Sequence, residues 1–222
     1  MTQMYNYLHN TNIYFYQRSD MFRVNTDTML LGEFYSLKDN ESLLDIGCNN
    51  GALLLYALTK NSKNNHLVGI DILEEAITMA KKNITLNHLK AELYCANASE
   101  FKYPRFDRIV CNPPYFEYNE TANVKKNEFL TTARFEKYLP LTELVIAFRR
   151  LIKDTGHIYM IHRSTELFRI INALAEVNLA VASMQFVYDE NILHSTSVLL
   201  DIVVSSSAKT LVKKPITLKR SK

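Results

Sequence analysis

Residues 41–59 read "ESLLDIGCNNGALLLYALT". The first six form a short apolar run of the kind that makes a buried strand, closing at Asp45. Gly47 and Gly51 then bracket a tight turn in which the backbone can take positive φ and come close to a ligand. "ALLLYALT" has the length and composition of a helix packed on the strand before it. Strand, glycine turn and helix together make half of a βαβ unit, and in open αβ sheets ligands bind outside the carboxyl ends of such strands. The spacing is not G-x-G-x-x-G, so a dinucleotide pyrophosphate is a weak reading of the turn.

The alternation continues on both sides. Downstream, "HLVGI" is a strand ending before Asp71, "LEEAITMAKKNITLN" an amphipathic helix, and "AELYCA" and "FDRIVC" two further strands. "LTELVIAFRRLIKD" predicts a long helix that stops before Gly156, and "GHIYMIH" predicts a strand. "STELFRIINALAEV" opens with a serine-led capping box at Ser164 and Glu166. "VASMQFVY" and "SVLLDIVVSS" have no helix between them and predict an antiparallel edge hairpin. Upstream, "NIYFYQRSDMFRV" predicts a small hairpin turning at "QRSD", and a helix begins near Asp27. The expected organisation is an N-terminal hairpin and helix over 1–40, a core domain over 41–206 and a basic tail over 207–222.

Composition fits one soluble αβ domain: 222 residues, 47% hydrophobic and 22% charged. Three scattered cysteines suit a reducing compartment and give neither a disulfide framework nor a zinc site. The opening residues are too polar for a signal peptide, and "VLLDIVV" is too short to span a bilayer. We therefore expect a cytoplasmic protein, a monomer, with no metal and no membrane partner. The last sixteen residues hold six of the 26 Lys and Arg and no acid, leaving 20 basic side chains against 23 acidic ones elsewhere. Such a tail fits a phosphate backbone, or equally a disordered and solubilising terminus.

Seven strands in this sequence order resemble the class I methyltransferase fold: a Rossmann-like αβ structure whose mostly parallel sheet carries an antiparallel C-terminal hairpin and helices on both faces. The strand ends then form one crescent. Asp71 can accept the hydroxyl hydrogens of a ribose or cap the helix that follows. Asn97 can bond an adenine edge, with Ala98 offering its backbone. Asp45, Gly47, Gly51 and Asn112 complete the set, which suits S-adenosylmethionine. Asn49 stands where many such enzymes place a glycine, and asparagine tolerates left-handed backbone.

"NPPY", Asn112 to Tyr115, resembles the catalytic corner of methyltransferases acting on amide or amine nitrogens in a planar group. The resemblance implies that the Asn112 side-chain oxygen and the Pro113 carbonyl each accept one N–H of the target amine. It also implies that Pro114, Tyr115 and Phe116 wall the pocket, with Tyr115 stacked on a flipped base. "YQRSDMFRVNTDTMLLGEF" (residues 16–34) and "TTARFE" (131–136) resemble the tRNA1(Val) adenine-37 N6-methyltransferase family. That likeness places Gln17, Arg23 and Asp27 near the methionine end of the cofactor. It implies a tRNA partner met at the anticodon stem-loop. Arg134 either contacts phosphate or makes a salt bridge at a helix start. Lys125 and Lys126, in a polar stretch expected to cover the site, are candidate phosphate contacts, as are Lys213, Lys214, Lys219 and Arg220 of the tail. Arg163 and His162 end the fifth strand on the same face. Two rivals remain: a glutamine methyltransferase acting on a release factor, and a non-catalytic RNA-binding protein on the same fold.

Overall fold

The structure, a computed structural model, describes residues 3–8, 11–113, 139–205 and 209–219. Strands β1 (Gln3–Tyr7) and β2 (Tyr14–Arg18) pair antiparallel, and Leu8 N donates to Ile13 O at 2.9 Å at the closed end of the pair, so the hairpin does not turn at "QRSD". Three contacts explain the difference. Tyr5 stacks on Tyr14 across the pair at 5.3 Å, favouring that register. Residues 22–24 are engaged elsewhere: Phe22 O accepts the Asn49 side-chain amide at 2.7 Å, and Val24 N donates to Gln17 Oε1 at 3.2 Å. Arg18 instead grips Asp20, with bonds of 3.0 and 2.6 Å.

Helix α1 (Thr26–Phe34) starts at Asn25, whose side chain accepts from Thr28 N. The core follows as β3 (Ser42–Ile46), α2 (Ala52–Leu55) with one 3-10 turn after it, β4 (His66–Asp71), α3 (Glu74–Leu86), β5 (Glu92–Cys95) and β6 (Phe106–Cys111). After it come α4 (Leu141–Leu151), β7 (Ile152–Arg163), α5 (Leu167–Glu176), β8 (Leu179–Asp189) and β9 (Ser195–Val204). The sheet runs β5-β4-β3-β6-β7-β9-β8, parallel from β5 to β7, with β9 antiparallel to both its neighbours. This is the expected class I methyltransferase arrangement.

Period-2 alternation divides the core between the two faces of the sheet. Leu44, Ile46, Ile109, Cys111, Ile158 and Met160 pack with Phe148 of α4 and Leu174 of α5. Leu43, Val110, Tyr159 and Ile161 pack with Leu31 of α1 and Leu54 of α2 on the other side. Each fully buried Leu or Ile contributes about 1.5–3 kcal/mol. No helix among the described residues is long and apolar enough to cross a membrane.

Two further expectations need correction. Helix α4 ends at Leu151, short of Gly156, because Ile152 is fully buried and pairs with Phe106, while Lys153 binds the Asp107 carboxylate at 2.8 Å. Strand pairing there outweighs the helix propensity of Lys153 and Asp154. Ser164 does not cap a helix: its hydroxyl donates to the Ser195 carbonyl, and Glu166 binds Arg169 at 2.9 Å. The tail, open above to a disordered reading, adds two short strands to the sheet edge. β10 (Leu211–Val212) and β11 (Ile216–Leu218) run parallel to β8, and Ile216 and Leu218 pack on the core. They cover an edge that would otherwise expose unpaired backbone.

Candidate active site

Chain order reverses between β3 and β6, which opens a crevice at their carboxyl ends. The register brings the strand ends flush. Ile46 pairs with both Ile70 and Cys111, and Ile70 pairs with Tyr94. One residue beyond that row stand Gly47, Asp71 and Asn112, side by side on three adjacent strands.

The glycine turn is left-handed at Gly47 (φ 75°), Asn49 (φ 46°) and Gly51 (φ 80°). Asparagine therefore sustains the conformation that the family pattern gives to glycine. A Cβ on Gly47 would have nothing within 4 Å, so open space lies beside it. Asp71 anchors the turn: one carboxylate oxygen accepts Asn49 N at 2.9 Å and the other accepts Leu73 N at 3.0 Å. Burial raises its pKa, and the backbone amides of Leu73, Asn49 and Ile72 partly offset that. Helix α3 has Leu73 as its N-cap and no side-chain cap, so Asp71 does not cap it; its bond to Leu73 N closes a local turn ahead of the helix. Asn97 accepts Ser99 N at 3.0 Å, and the Ala98 carbonyl accepts Arg150 at 2.7 Å.

Asp45 is fully buried, and neither carboxylate oxygen has a hydrogen-bond partner among the described residues. The buried side-chain nitrogen of Asn50 in the adjoining turn is likewise unpartnered among them. Burial, then the nearby Asp71 charge, pushes the Asp45 pKa well up. An unmatched carboxylate, an unmatched amide N–H and an open glycine turn form a donor set that fits the ammonium and carboxylate of an amino-acid ligand.

The sign of the pH effect follows. The folded state holds the Asp45 proton more tightly than the unfolded chain, so this group's contribution to stability is full below about pH 4 and is lost as pH rises through its raised folded value. Asp45→Asn should therefore raise the melting temperature of the cofactor-free protein at pH 7 and raise it much less at pH 4, while weakening cofactor binding. Thermal unfolding at the two pH values checks this; a variant less stable at pH 7 contradicts it.

The remaining residues from sequence fall as follows. Gln17 is buried and occupied with Val24 N, Arg23 is exposed, and Asp27 accepts the Ser197 hydroxyl at 3.2 Å, tying α1 to β9. Pro113 is buried beside Asn112. His162 is buried and Arg163 exposed at the end of β7. Lys214 and Lys219 are exposed, and Lys213 Nζ lies 4.5 Å above the Phe34 ring. Pro114, Tyr115, Phe116, Lys125, Lys126, Arg134 and Arg220 lie outside the described residues.

Sequence reading missed three positions. Fully buried Asn83 on α3 accepts Tyr16 N at 2.7 Å and donates to Tyr16 O and Asn50 O, each at 2.9 Å, pinning the hairpin to the glycine turn. Its signal was an asparagine inside the apolar face of an amphipathic helix. Arg150 donates to the carbonyls of Phe101, Ala98 and Ser99 and so holds the loop after β5. Thr28 accepts the Asn112 side-chain N–H at 3.2 Å.

The sheet order, the glycine turn, the acid ending the second core strand and the Asn-Pro corner after the fourth define a class I methyltransferase. The chain belongs to the methyltransferase small domain family, whose model matches residues 12–166. It is related to the tRNA1(Val) (adenine(37)-N6)-methyltransferase of Aliivibrio fischeri strain MJ11, at 33% identity over 136 residues, covering 60% of this chain and 56% of that protein. The protein of the same name from Flavobacteriaceae bacterium strain 3519-10 is 28% identical over 148 residues, covering 65% and 61%. These matches thus span a little over half the length of the curated relatives. In structure, the predicted O-methyltransferase Atu636 of Agrobacterium tumefaciens superposes with a TM-score of 0.66 over 89% of this chain and 90% of that one, at 14% identity. The fold implies S-adenosylmethionine as cofactor, and the residues at the strand ends fit it.

Proposed function

We propose that the protein methylates the exocyclic N6 of an adenosine in tRNA, position 37 of tRNA1(Val). One observation carries the reading: the flush row that sets the Asn112-Pro113 corner beside Gly47 and Asp71. The names of the two relatives supply the substrate.

When bound, S-adenosylmethionine supplies an activated methyl group and its own thioether leaving group. In this reading Asp71 holds the ribose, Asn97 and the Ala98 backbone meet the adenine, and Asp45 and the glycine turn receive the amino-acid end, with Gln17, Arg23 and Asp27 near it. An adenine NH2 is a poor nucleophile because its lone pair is delocalised into the ring. Asn112 Oδ1 and the Pro113 carbonyl accept its two hydrogens and turn the lone pair out of the ring plane toward the methyl. No strong base is required, since the nitrogen becomes acidic once alkylated. By the sequence resemblance alone, Tyr115 is assigned the stacking role on the base, with Pro114 and Phe116 as further pocket residues.

Strand direction supports an RNA surface at this end of the sheet. β8 is parallel to β7, and Leu218 of β11 pairs with Asp189 at the carboxyl end of β8, so Lys219 leaves the sheet at the same end as Asn112. Arg163 leaves β7 at that end too. We propose these two and Lys214 as phosphate contacts, with Lys213 secured over Phe34. Arg220, Lys125, Lys126 and Arg134 join them by sequence alone. Replacing Lys214 and Lys219 with alanine should flatten the salt dependence of tRNA binding by about one unit of log–log slope for each phosphate that the variant no longer neutralises. Cofactor affinity should not change. An unaltered slope in fluorescence titrations removes both residues from the interface.

The test of substrate class offers the purified protein labelled S-adenosylmethionine with either unmodified tRNA or a release-factor peptide containing a glutamine. The proposal predicts N6-methyladenosine in the tRNA by nucleoside mass spectrometry. Label only in the peptide favours the glutamine enzyme, whose target amide presents the same two hydrogens. Cofactor binding with no transfer to either favours a binding protein. We place this activity in the cytoplasm.

A further inference from the structure

We infer that Thr28 is a positioning residue that fixes which end of the Asn112 amide faces the substrate. The inference rests on the role proposed above for Asn112.

The orientation descends from a backbone group that cannot flip. Thr28 N–H, in the first turn of α1, donates to the Asn25 side chain at 2.9 Å, so the Asn25 atom facing it is the oxygen. The Thr28 hydroxyl donates to that same oxygen at 3.0 Å, which uses its only proton. Thr28 Oγ1 then has only lone pairs to offer. The Asn112 side chain meets it at 3.2 Å, and only its Nδ2–H can make that bond. A flipped amide would have to draw the hydroxyl proton away from the Asn25 oxygen, and the network would lose that hydrogen bond. Asn112 Oδ1 is thereby directed away from α1.

That is the orientation the proposed chemistry needs. An amide presenting NH2 to the substrate would oppose an amine hydrogen with another hydrogen. Thr28 is itself buried, at 7% exposure, and α1 is held to β9 by the Asp27–Ser197 bond. The network therefore stands on two fixed elements, α1 and the end of β6.

The test is a double-mutant cycle in single-turnover transfer, with saturating cofactor and tRNA. Thr28→Val removes the hydroxyl and nearly keeps the shape, and the backbone cap to Asn25 remains. It should slow transfer by about tenfold to 100-fold, the scale of a misplaced reacting group, while cofactor affinity stays within about twofold. Thr28→Ser should recover most of the rate. In an Asn112→Ala background, Thr28→Val should cost nothing further, because Thr28 acts only through that amide. Thr28→Ala runs through the same cycle should Thr28→Val fold poorly. An equal loss in both backgrounds means a purely structural role and overturns the inference. So does a wild-type rate in Thr28→Val where Asn112→Ala is slow. A wild-type rate in Asn112→Ala itself would instead remove the reading of Asn112 on which the inference rests.

Discussion

Asn112→Ala is expected to slow methyl transfer by about 100-fold to 1,000-fold and to leave S-adenosylmethionine affinity nearly intact, since it removes one preorganised acceptor at the reacting centre. The side chain follows β6 at the level of Gly47 and Asp71 and donates to Thr28 on α1. Its loss should leave the cofactor contacts standing. The amine would then reach the transition state with one hydrogen unmatched and its lone pair poorly directed. The loss should appear in the rate constant at saturating tRNA and not in cofactor binding. Rapid-quench kinetics and calorimetry separate the two. A near-wild-type rate, or a cofactor affinity that falls as far as the rate, contradicts the assignment.

The second large effect is on stability. Gly32→Ala should destabilise the fold by about 3 kcal/mol even though alanine is the better helix former by about 1 kcal/mol. A Cβ on Gly32 would lie 2.2 Å from Tyr56 Cδ2, 2.4 Å from Cε2 and 2.6 Å from Cγ. The Tyr56 ring is 2% exposed and packed in the same cluster as Leu31 and Leu54, so it has nowhere to withdraw. Steric overlap with a rigid buried ring outweighs the helical gain. Relief requires α1 to lift from α2, which would also draw Thr28 from Asn112. Urea unfolding should show a lower midpoint at an unchanged slope. A midpoint equal to or above that of the wild type contradicts the packing.

The parallel core was legible because its strands are continuous apolar runs separated by amphipathic helices, and because "DIGCNNG" and "NPPY" mark two strand ends. The adjacency of Gly47, Asp71 and Asn112 was expected from topology and follows in the structure from the Ile46–Cys111 and Ile46–Ile70 pairings. Features decided by distant partners could not be read. The hairpin register depends on Tyr5 meeting Tyr14 and on Asn49 capturing Phe22 O. The early end of α4 depends on Ile152 finding Phe106. The tail reads as basic because its lysines dominate the composition, yet the alternation of Ile216, Thr217 and Leu218 lets it extend the sheet. Thr28 was invisible for the same reason: its role comes from a partner 84 positions away.

The central claim is transfer to a particular nitrogen. The most direct measurement uses two tRNA1(Val) transcripts, one natural and one with guanosine in place of adenosine 37, each incubated with the protein and labelled S-adenosylmethionine, then digested and resolved by nucleoside mass spectrometry. The account predicts N6-methyladenosine from the first transcript and none from the second. Equal labelling of both, or a methyl group on any atom other than N6 of adenosine 37, would contradict it.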